Sequence, residues 1–147
     1  DAHGNCNLVS VGPWAHPKFR GPGSVGIPFL PVTKRSVIYT MSHTPRTFVE
    51  RVDFVSGPGH PSGPEQDRPY RRQGPSLVVT PLAALDFDPH DRRMRLRTVH
   101  PGVTVNQVAD ATGFELVLPS PVPETPPPTE RELSELRRLD PHGVLRR

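Results

Sequence analysis

The sequence contains little cysteine, little lysine and few aromatic residues. Its 147 residues include one cysteine, Cys6, and aromatic residues make up 6% of the chain. A single cysteine excludes an internal disulfide framework and favours a reducing compartment, so we expect a cytoplasmic location. No stretch approaches the ~20 apolar residues that a membrane-spanning helix needs, and we expect no membrane association.

The charge is weakly positive and comes almost entirely from arginine. Lys and Arg number 18 against 15 Asp and Glu, which gives a net charge of +3, and Lys18 and Lys34 are the two lysines. An arginine- and proline-rich bias often follows genome composition. Scattered charge with few aromatic residues gives little support for nucleic-acid binding, and we expect no nucleic-acid partner.

Proline and glycine are abundant, with 21 and 12 residues, but they follow no repeat. Their share stays below that of low-complexity disorder, and the chain length suits one ordinary domain. The first residue is Asp rather than Met, and no charged and then apolar leader follows it. We therefore expect a signal peptide to be absent or already removed, which is compatible with a fragment of a longer protein.

Short apolar runs predict a small sheet. Residues 36–41 are rich in β-branched residues and continuous rather than alternating, as are the buried strands of parallel or mixed sheets. Residues 94–99 alternate between apolar or small side chains and arginine, which predicts one wet sheet face or an edge strand. A Gly/Pro/Arg loop is predicted at residues 56–76. Further strands are predicted at residues 8–11, 51–55, 77–80, 83–87 and 115–118.

One short helix is indicated near the end of the predicted sheet. Thr104 and Gln107 have capping-box spacing, in which each side chain bonds the other residue's backbone N–H. We expect a helix from residue 105 to about residue 112, which Gly113 stops.

The C-terminal tail has its own organisation. The run 119–128 contains six prolines and predicts an extended spacer. Thr129 and Glu132 then form a second capping-box pattern, which opens a helix. An isolated helix this short is marginal in water, so we expect it to dock on its own domain or on a partner. We accordingly divide the chain into residues 1–118 and 119–147. The apolar stripe of the helix consists of Leu133, Leu136 and Leu139.

The glycine-rich loop 21–26 has two interpretations. Its backbone N–H groups could face an anion or a carbonyl oxygen, or the segment could be a plain surface loop. No Gly-Lys-Ser/Thr follows it, and Pro28 and Pro31 prevent a dinucleotide-binding helix from opening there. The residues alone favour the surface loop.

The reactive side chains form no recognisable catalytic or metal pattern. The seven histidines show no ligand-pair spacing, and with one cysteine we expect no metal site. Cys6 could be a nucleophile but is more often an inert small hydrophobe in this position. Glu50 and Asp53 have Arg46 and Arg51 as neighbours, which favours salt bridges over an acid/base pair. The residues predict an α/β domain but no reaction.

Short motifs follow one another along nearly the whole chain. They are DAHGNCN at 1–7, PKFRGPGSVG at 17–26, FVERVDFVSGPG at 48–59, LDF at 85–87, VHPGVT at 99–104, ATGFE at 111–115, PPTEREL at 127–133 and DP at 140–141. In this order they resemble the later part of a class I CoA-transferase subunit, most nearly the beta subunit of the glutaconate CoA-transferase type.

The resemblance implies a fold, a reaction and partners. The fold would be an open, mostly parallel α/β sheet, followed here by the proline-rich spacer and C-terminal helix. A beta subunit pairs with an alpha subunit in a hetero-oligomer, with the active site between them. The family moves CoA between carboxylic acids through a glutamate that becomes a CoA thioester, which is nucleophilic catalysis. An acyl-CoA and a carboxylic acid are then the substrates, with no permanently bound cofactor.

The resemblance also implies binding residues and two departures. Its catalytic glutamate lies upstream of the opening turn, and none of the seven glutamates here matches it, so we expect no catalytic residue in this chain. Val25 and Pro28 depart from the family's glycine run. Residues implied to lie by the acyl-CoA are Gly4, Asn5 and Asn7 of the opening turn and Gly23, Ser24 and Gly26 of the glycine loop.

Relatives on the same scaffold catalyse other reactions. Some resemble transferases but are acyl-CoA hydrolases that open a steroid-derived ring, and another pair decarboxylates an unsaturated acyl-CoA. The motifs quoted above do not separate these reactions from transfer. A third alternative is a non-catalytic subunit that assembles with a partner.

Overall fold

The structure is a computed structural model, which describes residues 1–61 and 74–144. Residues 62–73, within the predicted 56–76 loop, and residues 145–147 lie outside the described part. None of the described helices has both the length and the apolarity to cross a bilayer. The elements are β1 (Ser10–Val11), β2 (Phe19–Arg20), a 3-10 helix (Ile27–Val32), β3 (Val37–Tyr39), β4 (Leu77–Val79), β5 (Ala83–Phe87), β6 (Met94–Val99), α1 (Val105–Asp110) and α2 (Glu130–Leu139).

A mixed four-stranded sheet has the order β3-β4-β5-β6, and a small antiparallel ladder joins β1 to β2. Strands β3 and β4 are parallel, whereas β4 with β5 and β5 with β6 are antiparallel. The connections 80–82 and 88–93 are too short for the crossover that parallel neighbours need. The α/β class is therefore present, and parallel pairing among the described strands is confined to β3 and β4.

The core lies on one face of the two longest strands. Leu85 of β5 and Leu96 of β6 are fully buried, and Val108 of α1 packs into the same cluster. The predicted alternation of β6 is confirmed, since Met94 and Leu96 are buried while Arg97 is exposed. The helix therefore contributes Val108 to the core that these strands form.

Two predicted strands take other forms. The strand predicted at 51–55 is wrong, because that segment is irregular and its polar groups bond to loops instead of a ladder. One such bond runs from the Gly12 N–H to Asp53 Oδ2, at 2.8 Å. The strand predicted at 115–118 is reduced to a single parallel bridge, between Val117 and Arg95.

Strand β3 is more exposed than its sequence suggested. The continuous apolar run predicted a buried strand, yet Val37 is 49% exposed and Tyr39 is 68% exposed. The reason is position, because β3 lies at the edge of the sheet and has β4 as its partner. At the opposite edge, β6 is covered by the chain itself. There the Leu96 N–H donates to the Val117 carbonyl at 3.0 Å and the Thr125 N–H donates to the Val99 carbonyl at 2.7 Å.

Both predicted capping boxes are present. Thr104 and Gln107 cap α1, which ends at Asp110, slightly earlier than predicted. Thr129 and Glu132 cap α2, which runs to Leu139 and so includes the whole predicted leucine stripe. No residue of α2 is buried, so its leucine stripe is not buried against the preceding part of the chain. The division of the chain after residue 118 stays a prediction.

Candidate functional site

The opening turn is held together by the carboxylate of Asp1. Its Oδ1 accepts from the backbone N–H groups of His3 and Asn5, both at 3.0 Å. The Asn5 Nδ2 also donates to the Asp1 carboxylate, at 3.1 Å. Gly4, between them, has a φ of +79°, in the left-handed region that favours glycine. The turn therefore has a fixed shape set by its own residues.

Asn5 also joins this turn to a distant segment. Its Oδ1 accepts from the Gly59 N–H at 2.8 Å, and the His3 carbonyl accepts from the His60 N–H at 2.8 Å. Gly59 is needed there, because a Cβ at this position would collide with the His3 carbonyl oxygen and the Gly4 backbone. Both ends of the Asn5 amide are thus engaged within the chain.

Asn7 makes local hydrogen bonds. Its Oδ1 accepts from the N–H groups of Val9 and Ser10 at 3.0 and 3.2 Å. Its Nδ2 donates to the Ser10 carbonyl at 2.6 Å. This is an Asx-type turn, in which the side chain organises the residues that follow it. The predicted site residue Asn7 thus shapes the entry to β1.

The glycine loop is attached to the same region by its backbone. The Gly21 N–H donates to the Val9 carbonyl at 2.8 Å, and the Gly23 N–H donates to the Leu8 carbonyl at 3.1 Å. A Cβ at Gly21 would collide with the Leu8 carbonyl, so the two segments can approach this closely because residue 21 is glycine. The structure thus places the glycine loop beside the residues that directly follow the opening turn.

The crest of the loop presents unpaired backbone donors. In the part of the chain that the structure describes, the N–H groups of Ser24, Val25 and Gly26 donate to no other residue. No neighbouring atom of residues 1–61 or 74–144 lies within 4 Å of a Cβ built on Gly23 or Gly26, so these residues leave the space around the crest open. The 3-10 helix begins at Ile27, with proline in its first turn.

Val25 is strained at this crest. Its φ is +47°, a conformation that is an outlier for a β-branched residue, and its side chain is 88% exposed. Because the side chain is exposed, its packing in the core does not offset this strain. Such strain is often found at functional sites. Valine in place of glycine therefore strains the backbone at residue 25, while the Val25 N–H can still donate a hydrogen bond.

A cavity of about 470 Å³ lies next to the opening turn. Gly4, Asn5 and Asn7 line it, together with Ile38 and other residues of the core, whereas Gly23, Ser24 and Gly26 do not. The structure thus brings the three turn residues together at one cavity. The loop residues are joined to them through the backbone but face separate, open space.

Two acidic residues were expected to form salt bridges; among the described residues Glu50 forms one, whereas Asp53 accepts a hydrogen bond from a backbone N–H. The prediction of a salt bridge at Glu50 is correct in kind, but its partner is Arg93 rather than Arg46 or Arg51, at 3.0 Å. The Arg93 guanidinium lowers the pKa of Glu50. Among the described residues, no group of three His, Cys, Asp or Glu side chains could hold a metal ion.

Cys6 behaves as a structural residue. Its N–H donates to the Gly57 carbonyl at 2.8 Å, and burial raises the pKa of its thiol. A raised pKa disfavours the thiolate, which is the nucleophilic form. This geometry supports the interpretation of Cys6 as a small apolar residue between the opening turn and Gly57.

His43 is a buried residue that its spacing in the sequence did not single out. Its ring lies between the hydroxyls of Thr80, at 2.9 Å, and Thr112, at 3.0 Å. The Thr112 hydroxyl gives its own hydrogen to the Val108 carbonyl at 2.8 Å, so its oxygen is an acceptor for the His43 ring. Nε2–H then donates to Thr112, and we assign the neutral tautomer with the proton on Nε2. Burial lowers the pKa of His43.

His60 has a similar role under the opening turn. Its Nδ1 accepts from the Gly74 N–H at 3.2 Å, so its Nε2–H donates to the Pro75 carbonyl at 2.9 Å. Its ring contacts that of Phe87, with centroids 4.4 Å apart. Burial lowers the pKa of His60. In the sequence, the position of His60 directly after Gly59 is the feature that could have indicated its role.

Residues 1–111 match the family described as Coenzyme A transferase, so the chain belongs to the coenzyme A transferase family. It is 32% identical over 146 residues to a 3-oxoadipate CoA-transferase subunit of Pseudomonas knackmussii, covering 95% of this chain and 55% of the relative. It is 36% identical over 145 residues to the cholesterol ring-cleaving hydrolase IpdB subunit of Rhodococcus jostii, covering 98% and 58%. A glutaconate CoA-transferase subunit of Acidaminococcus fermentans is 37% identical over 119 residues, covering 79% and 44%.

Solved structures agree with these sequence matches. IpdAB of Rhodococcus jostii has a TM-score of 0.84 at 36% identity, and the match covers 97% of this chain and 58% of that chain. Glutaconate CoA-transferase of Acidaminococcus fermentans has a TM-score of 0.82 at 32% identity, with 97% and 56% covered. The decarboxylase AibA/AibB, with a TM-score of 0.77 at 22% identity and 97% and 54% covered, shares the fold.

The resemblance and the fold class predicted from the sequence are therefore confirmed. The chain spans little more than half the length of two of these relatives, 55% and 58%.

Proposed function

We propose that this chain is part of the beta subunit of a CoA-transferase-like enzyme, which moves CoA between carboxylic acids. The observation that carries the proposal is the crest of the glycine loop. Its N–H groups at Ser24, Val25 and Gly26, which have no partner among the described residues, lie beside the turn that holds Asn5 and Asn7. Donors fixed in advance suit a carbonyl oxygen that gains negative charge.

In this proposal the loop stabilises charge and the nucleophile comes from elsewhere. A glutamate carboxylate attacks the thioester carbonyl, and negative charge develops on the carbonyl oxygen while the carbon becomes tetrahedral. The backbone N–H groups of Ser24 and Gly26 donate to that oxygen. The C–S bond then breaks, which leaves an acyl anhydride on the glutamate and CoA as a thiolate. The thiolate attacks the glutamyl carbonyl, releases the donor acid as its carboxylate and leaves CoA as a thioester on the glutamate. The attacking glutamate belongs to polypeptide beyond residues 1–147, and an alpha-type subunit completes the site in a cytoplasmic hetero-oligomer. No bound cofactor is required, because the CoA thioester is itself the substrate.

A second candidate is hydrolysis of an acyl-CoA on the same scaffold. It is favoured by the relative named cholesterol ring-cleaving hydrolase IpdB subunit, which is 36% identical over 98% of this chain. In transfer a second carboxylic acid accepts CoA. In ring-cleaving hydrolysis water adds across a bond of a ring in the acyl group, that bond breaks, and the CoA thioester is kept.

The test of the loop is acyl-CoA binding to the native complex, purified through a tag on this chain and titrated calorimetrically. Acetyl-CoA, glutaconyl-CoA and 3-oxoadipyl-CoA are the probes. Gly26→Trp should weaken binding by about tenfold or more, because Gly26 faces open space and the ring would cover the crest. Lys34→Trp, at another exposed position, should leave binding unchanged.

The same preparation separates the two reactions. A ring-bearing acyl-CoA that gains one water without added acetate indicates ring-cleaving hydrolysis, whereas acetyl-CoA formed from glutaconyl-CoA and added acetate indicates transfer. Equal binding by Gly26→Trp and the parent, with both folded by circular dichroism, would contradict the role of the loop. Absence of acyl-CoA binding in the parent complex would favour a non-catalytic assembly subunit.

A further inference from the structure

Gly57 lies against the helix that follows the crest of the glycine loop. A Cβ built on Gly57 would collide with Ile27 Cγ1, and it would lie 2.8 Å from Ile27 Cδ1 and 3.3 Å from Leu30 Cδ1. Carbon atoms in favourable contact are about 3.5–4.0 Å apart, so a side chain at residue 57 has no room. Ile27 is the first residue of the 3-10 helix and directly follows Gly26 of the crest. The close approach of Ile27 to Gly57 therefore fixes where the crest ends.

The backbone of Gly57 is bonded to the opening turn. The Cys6 N–H donates to the Gly57 carbonyl at 2.8 Å, and the Gly57 N–H donates to the Cys6 carbonyl at 3.1 Å. Ser56, the preceding residue, is buried, and its Oγ accepts from the Leu8 N–H at 2.8 Å. Cys6 lies between the two asparagines of the turn. Gly57 is thus held to the turn by hydrogen bonds and to the crest by its contact with Ile27.

Glycine is required at residue 57 by this contact and not by its backbone angles. The φ of Gly57 does not lie in the left-handed region that favours glycine. Another residue could therefore adopt the same backbone, but its side chain would meet Ile27. The Ile27 side chain also lines the cavity that Asn5 and Asn7 line. A methyl group at residue 57 would therefore shift Ile27, and with it the end of the crest, relative to the turn.

We propose that Gly57 is a positioning residue, which seats Ile27 and so sets the distance between the N–H groups of the crest and the opening turn. The inference rests on the proposed function, in which Ser24 and Gly26 donate to the oxygen of the thioester carbonyl. Donors that stabilise developing charge must be held in place before the reaction. A misplacement of about 1 Å caused by a remote residue can lower a rate about 100-fold. Gly57 acts through Ile27 and has no contact with the acyl-CoA in this proposal.

The test measures CoA transfer from glutaconyl-CoA or 3-oxoadipyl-CoA to acetate by the native complex, purified through a tag on this chain. Gly57→Ala should lower kcat about tenfold or more, because the crest donors act in the transition state. KM for the acyl-CoA, and Kd for free CoA measured by calorimetry, should change by less than about twofold. Free CoA lacks the carbonyl oxygen that the crest is proposed to bind, so its affinity reports on the rest of the site.

Ile27→Ala provides a compensating change. It removes Cγ1 and Cδ1, the two atoms nearest to a methyl group at residue 57. Gly57→Ala combined with Ile27→Ala should therefore recover kcat to within about threefold of the parent. A role of Gly57 that does not pass through Ile27 predicts no such recovery.

Gly113→Ala is the matched control. A Cβ at Gly113 would collide with the Phe48 carbonyl oxygen and lie 2.9 Å from that of Pro45, and the φ of Gly113 is not positive either. This collision involves neither the opening turn nor the glycine loop. Gly113→Ala should therefore lower the free energy of unfolding and leave kcat unchanged.

Hydrogen exchange of the complex, followed by mass spectrometry, reports on the crest directly. The Phe29 N–H donates to the Gly26 carbonyl at 3.1 Å, in the first turn of the 3-10 helix. A peptide that covers residues 27–33 should exchange faster in Gly57→Ala and return toward the parent rate in the double variant.

Four results would overturn the inference. They are an unchanged kcat in Gly57→Ala, an equal fall of kcat in Gly113→Ala, no recovery in the double variant, and unchanged exchange of the peptide in Gly57→Ala. Absence of transfer by the parent complex would instead overturn the proposed function, and the exchange comparison would still decide whether Gly57 positions the crest.

Discussion

The ring of Phe87 packs directly against the backbone of Gly4. A Cβ built on Gly4 would lie 2.8 Å from Phe87 Cζ and 2.8 Å from Pro75 Cγ. Phe87 is the last residue of β5 and also contacts the His60 ring. The end of a core strand thus supports the turn that carries Asn5 and Asn7, so packing in the sheet and geometry at the candidate site are directly linked.

Gly4→Ala should therefore destabilise the chain more than Gly102→Ala. Both glycines have a φ of +79°, but a Cβ at Gly102 meets nothing within 4 Å in the described part of the chain. Both variants lose about 1 kcal/mol to the left-handed backbone, and Gly4→Ala loses roughly 1–3 kcal/mol more to overpacking against Phe87. Urea unfolding followed by circular dichroism measures the difference. Equal losses for the two variants would show that the Phe87 contact is easily relaxed.

Asn5→Ala should cost more stability than Asn7→Ala. Removing the Asn5 amide leaves the N–H of buried Gly59 without its acceptor, which costs about 1–3 kcal/mol. Asn7 bonds residues within three positions of itself, so the short segment before β1 can readjust locally, and we expect a loss of about 1 kcal/mol or less. The two free energies of unfolding decide this, and a larger loss for Asn7→Ala would contradict the assigned roles.

Stability should fall as the pH is lowered from 7.5 to 5.5. In the unfolded chain a histidine takes up a proton near a pKa of about 6.5. Burial lowers the pKa of both His43 and His60 in the folded chain. The unfolded state therefore binds more protons in this window. The stability is complete above the unfolded pKa and is lost as the pH falls toward the lowered folded pKa.

Urea unfolding at pH 7.5, 6.5 and 5.5 measures this loss, which for each histidine is at most about 1.4 kcal/mol per pH unit. His43→Gln removes one of the two titrating rings, so its stability should depend less steeply on pH over the same range. An unchanged slope in His43→Gln, or a parent chain that becomes more stable at pH 5.5, would contradict the neutral, buried state of the ring.

Local patterns were enough to predict several elements. The capping boxes at Thr104 and Thr129 involve residues three positions apart, so a short stretch of sequence is enough to predict them. The alternation of β6 likewise reports which face packs on the core. These features are present in the structure because they depend on interactions between residues close in sequence.

Long-range relationships were not predictable in the same way. The partners of His43 lie 37 and 69 residues away in sequence, and no spacing announces them. The strand expected at 51–55 failed because its polar groups bond to loops from other parts of the chain. Strand β3 reads as a buried strand but is exposed, since burial depends on what lies beyond its free edge.

The candidate site was reached through the resemblance, not through composition. The residues alone favoured a plain surface loop at 21–26, because glycine freedom does not reveal which N–H groups remain unpaired. The structure adds two facts that bear on that choice. The loop is tied to Leu8 and Val9 through its backbone, and its crest leaves the Ser24 and Gly26 N–H groups free among the described residues.

Val25→Gly should stabilise the chain slightly. Relief of the left-handed strain, about 1–2 kcal/mol, exceeds the extra flexibility of glycine in the unfolded chain, about 0.5–1 kcal/mol. The loop N–H groups are unchanged, so acyl-CoA binding should be kept. Val32→Gly, an exposed position in the 3-10 helix that gains no such relief, should lose about 0.5–1 kcal/mol. If urea unfolding shows that both variants lose the same free energy of unfolding, the positive φ of Val25 does not destabilise the chain, and the strain assigned to Val25 is wrong.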